Sequence, residues 1–136
     1  MDASLKKEIL AVVEILNAEP FEEMANRLGM AIDGINFEKE ETGRFEEVPA
    51  FIGKDHNSSA KFTLFGIPKG ESGDAYTLEI SAETDLPIPE FKKSTIKFLN
   101  SFIGEKIVNS RGHLDYSDEL ANALIMKGIT ASKPSI

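Results

Sequence analysis

Cysteine is absent from the chain, and so is tryptophan. The first absence rules out disulfides, thiolate zinc sites and a catalytic thiol, and it suits a reducing, cytoplasmic setting. The second removes the best stacking platform for nucleobases. No apolar run approaches the roughly 20 residues that a membrane-spanning helix requires. The opening Met1–Glu8 has mixed charge, and the segment after it reads as amphipathic, unlike the apolar centre of a signal peptide. Positive charge is also in short supply: 15 Lys and Arg face 23 Asp and Glu, for a net charge of −8. A chain of that sign is repelled by phosphate backbones and anionic lipid, so neither nucleic acid nor membrane is an expected partner.

What is present suffices for a packed core. Of the 136 residues, 41% are hydrophobic, enough for one domain over residues 1–129 with a frayed tail over 130–136. Charge is unevenly spread. From Glu14 to Glu47 acidic residues greatly outnumber Arg27, Lys39 and Arg44, whereas beyond Phe91 lysines prevail. An acidic first half is suited to steering a basic partner.

Hydrophobic spacing suggests the order ααββββαα. Leu5, Ile9, Val12, Val13 and Leu16 recur every three or four residues and predict a helix over Ser4–Leu16. Pro20 suits the first turn of a second helix carrying Phe21, Met24, Ala25 and Leu28, closed by Gly29. Alternation then predicts strands around Ile35–Glu40, Glu47–Gly53, Lys61–Ile67 and Ala75–Glu83, joined by polar turns. Pro49 would place its strand at an edge or a bulge. A long helix over Pro89–Asn109 and a last one from Asp115 or Ser117 to Gly128 complete the pattern. The expected fold is α+β: a four-stranded antiparallel meander with two N-terminal and two C-terminal helices packed on it.

No catalytic signature stands out. The serines lie in no Gly-x-Ser-x-Gly elbow, and Gly29–Gly34 lacks the Gly-Lys-Ser/Thr ending of a phosphate loop. A strand, not a helix, is expected after Gly66, Gly70 and Gly73, against a dinucleotide site. His56 sits in a polar loop beside Asp55, without the converging ligands of a zinc site. His113 follows the predicted long helix, where the dipole favours a histidine. With Asp115 and Tyr116 it is the best candidate for a dispersed enzymatic site. No metal, no cofactor and no enzymatic activity are the expectations.

Surface is what remains for function. Candidate partner-binding residues are the carboxylates Glu38, Glu40, Glu46 and Glu47, with Phe51 and Phe65 as apolar contacts beside Pro49 and Ile67. In size, charge and layout the chain resembles two classes of small acidic bacterial binding protein. One is the immunity protein that blocks a cognate toxin; the other is the dimeric chaperone of a secretion system. The first resemblance implies a basic protein partner, such as a nuclease toxin whose phosphate-binding channel an acidic face would occlude. The second implies exposed apolar grooves and a symmetric homodimer. The immunity-type reading is preferred, with a small enzyme as the remaining alternative.

Overall fold

The computed structural model describes residues 6–16, 19–40, 48–56, 58–67 and 75–134. Over these residues the chain is α+β, with a mixed sheet of seven strands and four helices. The strands are β1 (Lys7–Leu16), β2 (Glu38–Lys39), β3 (Ala50–Lys54), β4 (Lys61–Phe65), β5 (Ala75–Thr84), β6 (His113–Asp115) and β7 (Ala131–Ser132). The helices are α1 (Phe21–Ala31), α2 (Ile88–Ser94), α3 (Lys97–Asn100) and α4 (Ser117–Met126). The sheet order is β2-β3-β4-β5-β1-β6, and β7 also pairs with β1. Strands β2 to β5 run antiparallel in chain order. The sheet is nevertheless larger than a four-stranded meander: β1 adds to β5, and β6 adds to β1 in parallel.

The largest correction concerns β1, where spacing predicts a helix. Ile9, Ala11, Val13 and Ile15 are buried on one side and alternate with Glu8, Leu10, Val12 and Glu14. Ile9, Val12, Val13 and Ile15 are β-branched, stiff at χ1 and suited to a pleated surface. Leu16, assigned to the helical face, is 49% exposed, whereas Ile15 is fully buried. All of β1 pairs with β5, from Lys7 opposite Thr84 to Leu16 opposite Ala75. Residues 130–132, expected to fray, are held on its other edge. Leu16 N–H donates to the Thr130 carbonyl at 3.1 Å, and Ala131 lies opposite Ile15.

A second correction divides the predicted Pro89–Asn109 helix. α2 ends at Ser94, Thr95 and Ile96 are extended, and after α3 residues 103–109 are neither helix nor strand. Ser94 and Thr95 hydroxyls donate to the Phe91 and Lys92 carbonyls, each at 2.8 Å, the backbone competition typical of such side chains. Ile96 N–H then turns to the Asp55 carboxylate at 3.0 Å, and Phe98 N–H to the Asp33 carboxylate. Two aspartates from distant turns thus supply the acceptors that a continuous helix would have provided.

The other helices lie close to expectation. α1 runs past Gly29, which is buried within it because a Cβ there would collide with the Ile35 carbonyl. α4 ends at Met126, and Gly128 beyond its cap has a φ of 84° that favours glycine. Met24, Leu28, Phe91, Leu99, Leu120 and Leu124 join the inward residues of β1, β4 and β5 in one core. Phe21 packs edge-on to Phe51 at 4.9 Å.

Among the described residues the helices therefore cover one face of the sheet and leave the other uncovered. On the opposite face Leu10, Val12, Thr77, Glu79 and Ser81 are partly exposed, while Ala50 and Thr63 are buried among their neighbours. The sheet's end strands are not free templates. Asn109 N–H donates to the His113 carbonyl at 2.8 Å, Asn109 Oδ1 accepts His113 N–H at 3.0 Å, and Lys106 Nζ donates to the Asp115 carbonyl at 2.6 Å. These bonds occupy the outer edge of β6, while β2 at the other end is only two residues long.

Candidate functional site

The uncovered face gathers residues that sequence spacing scatters. Because side chains alternate, the strand register fixes which of them share this face. Across one row stand His113, Glu8 and Glu83; across the next, Asp115, Leu10, Ser81, Lys61 and Lys54. A third row holds Val12, Glu79, Thr63, Ile52 and Glu38, and a fourth Glu14, Thr77, Phe65 and Ala50. Carboxylates thus concentrate on the β6-β1-β5 half, around the apolar pair Leu10 and Val12. Lysines 54 and 61 occupy the β3-β4 half.

Two open grooves cross this face. One, of about 470 Å³, is lined by Glu8, Leu10, Ser81, Glu83, His113 and Lys61, among others. His113 Nε2 lies 3.3 Å from the Glu8 carboxylate at its edge. The other, of about 560 Å³, runs over Ile52 and past Ile35, with Lys54, His56 and Lys61 on one side and Glu38, Lys39 and Glu40 on the other. Lys61 borders both.

The candidate partner-binding residues are only partly brought together. Glu38 is exposed on β2 and accepts Asn36 Nδ2 at 3.0 Å; Glu40 follows it, and its N–H donates to the Ala50 carbonyl at 2.8 Å. Glu46 and Glu47 lie outside the described residues. Phe65 is half-buried on the uncovered face, opposite Ala50 and Thr77. Phe51 needs correction as a surface contact: it is 9% exposed, stands opposite Leu64 and faces the core. Ile67 likewise packs against the core. Leu10, Val12, Glu8 and Glu14, hidden within a predicted helix, are the residues sequence reasoning missed. The β-branched run Ile9, Val12, Val13 and Ile15 is the signal in the sequence that favours a strand there.

His113, Asp115 and Tyr116 do not converge. His113 and Asp115 share the uncovered face, while Tyr116 is buried beneath it and donates its hydroxyl to the Gly104 carbonyl. Burial, then the charges of Glu119 and Glu105, push the Tyr116 hydroxyl up to about 12. Lys106 Nζ stands 5.0 Å over the Tyr116 ring and 2.6 Å from Glu119. Asp115 accepts the Ser117 N–H at 2.9 Å and hydroxyl at 2.6 Å. Burial acts to raise the Asp115 carboxyl, but the two Ser117 bonds and the charges of Lys133 and Lys106 outweigh it and hold the carboxyl below its ordinary range. Ser117 Oγ in turn accepts Val12 N–H at 2.9 Å, tying α4 to β1. These polar groups are engaged in fastening the β6–α4 corner.

Among the described residues no group of three or more His, Asp or Glu is placed to hold a metal ion, and no helix is long and apolar enough to cross a membrane. No known family, curated protein or solved structure matches the chain.

Proposed function

We propose that the chain is a protein-binding module that docks a basic partner on the β6-β1-β5 half of its uncovered sheet face. The observation that carries this reading is the gathering there of Glu8, Glu14, Glu79, Glu83 and Asp115 around partly exposed Leu10 and Val12. Apolar contacts at the centre supply affinity, and the surrounding carboxylates steer association and set specificity. Glu38 and Glu40 add negative charge at the β2 end, separated from this half by Lys54 and Lys61. A surface of this charge suits an immunity-type inhibitor, which would neutralise a nuclease toxin in the cytoplasm by occupying the channel that binds phosphate. The same charge opposes a face-to-face homodimer, so the inhibitor reading is preferred to a dimeric chaperone.

The test is a parallel capture from the native host with the parent and a Glu8→Gln, Glu14→Gln, Glu79→Gln, Glu83→Gln variant. A basic protein retained by the parent should be lost or weakened on the variant, with its association rate down by about tenfold or more at low salt. Equal rates for both across a salt series would end the proposal.

A further inference from the structure

The second groove points to a small-molecule site, independent of any protein partner. Lys54 and Lys61 are register partners on β3 and β4, so their side chains leave the sheet side by side on the uncovered face. Like charges directly opposite one another across a strand pair repel. Neither lysine has an ion-pair partner among the described residues, although the chain carries 23 acidic residues against 15 basic ones. The pair thus sets two positive charges side by side in an otherwise acidic protein. His56 lines the groove with them, half-buried Ile52 gives it an apolar floor, and Ile35, packed against the core, borders it.

We propose that this groove binds a small amphiphilic anion, with one phosphate or carboxylate group held between Lys54 and Lys61 and an apolar body laid over Ile52. Ammonium groups act as compact point charges and do not require the bidentate geometry an arginine would impose, so either head group is accommodated. The volume of about 560 Å³ lies in the range of small-molecule clefts. The far rim limits the ligand to one anionic end. Glu38 stands there on the uncovered face, with Lys39 and Glu40 following it, so a polyanion extending along the groove meets the Glu38 carboxylate.

Phenyl phosphate, phenylacetate, inorganic phosphate and tripolyphosphate are the probes, followed by amide chemical shifts in NMR titrations. Phenyl phosphate or phenylacetate should saturate, with shifts confined to residues 34–40, 52–56 and 61, and whichever binds more tightly identifies the head group. Inorganic phosphate and tripolyphosphate should bind at least tenfold more weakly, lacking the apolar body or clashing with the far rim. A Lys54→Gln, Lys61→Gln variant should lose binding at least tenfold and melt no lower than the parent, since it relieves a repulsion. Shifts spread over all lysines without saturation, or undiminished binding by the variant, would overturn the proposal. A variant that melts well below the parent would overturn it too, by showing the two lysines to serve the fold.

Discussion

Asp55 and Ile96 stand 41 residues apart in sequence and are joined by a hydrogen bond of 3.0 Å from the Ile96 N–H to the Asp55 carboxylate. The same carboxylate oxygen accepts the Ser58 hydroxyl at 2.9 Å, and Asp55 is buried. The aspartate thus closes its own loop after β3 and fixes the extended link between α2 and α3. Removing it leaves a partly buried N–H without its acceptor. Asp55→Ala should cost about 2–4 kcal/mol in urea unfolding, and Asp55→Asn, which keeps one acceptor oxygen, clearly less. Equal urea midpoints for parent and Asp55→Ala would refute this link as the cause of the helix break.

The identity of the first element can be tested by two adjacent substitutions. In a strand, Ile15 faces the core and Leu16 does not; the helical spacing would bury Leu16. Ile15→Ala should destabilise by about 2–5 kcal/mol, whereas Leu16→Ala should stay within about 0.5 kcal/mol of the parent. The reverse order of effects would restore the helix.

With no tryptophan and two tyrosines, alkaline absorbance near 295 nm reports Tyr76 and Tyr116 alone. Burial raises the Tyr76 hydroxyl, which donates to the Glu19 carbonyl at 2.8 Å, and Tyr116 is pushed up to about 12. Both should remain mostly protonated at pH 10. Because the folded value of Tyr116 exceeds the ordinary 10.0, its contribution to stability is fully present below that pH and is lost as pH rises toward 12. Tyr116→Phe should flatten this alkaline loss, and half-ionisation of both tyrosines at pH 10 in the folded protein would contradict the buried phenol.

Asp115 acts at the opposite end of the pH scale. Its carboxyl is held below the ordinary value of 3.8, so the stability it contributes is present above that pH and lost as pH falls through the lower folded value. Asp115→Asn retains an oxygen for Ser117 while removing the ionisation. Acid unfolding of that variant should depend less steeply on pH than that of the parent. Superimposable acid limbs would mean that the carboxylate charge has no part in holding the β6–α4 corner.

Local patterns in the chain are legible where only one structure suits them. Strict alternation identifies β5, apolar spacing identifies α1 and α4, and Gly128 lies just beyond the end of α4 while Gly29 lies inside α1. β1 is ambiguous because Ile9 and Val13 fit both periods; the choice is made by β5, β6 and β7, which are distant in sequence. Phe51 is similar. Ala50 and Ile52 on one side and Phe51 on the other are all apolar, so only pairing with Leu64 reveals which side is inward. The break at Thr95 depends on Asp33 and Asp55, acceptors that no local window contains. Of the candidate site, the acidic excess and the exposed Glu38 were readable from composition. The face that collects Glu8, Leu10, Val12 and His113 was not, since it exists only once β1 lies beside β6.

One-sided packing has a consequence for how such a protein changes over time. In β5, Leu78 is sealed in the core while its neighbour Glu79 stands on the uncovered face, and the same separation repeats at Val13 and Val12 in β1. Substitutions at the outward positions leave the inward ones untouched, and along β6 the bonded outer edge leaves side chains, not backbone, presented. The uncovered face is thus a surface that mutation can rewrite one residue at a time. Over a lineage of such chains, successive changes of that kind would alter the face while the scaffold beneath stayed the same.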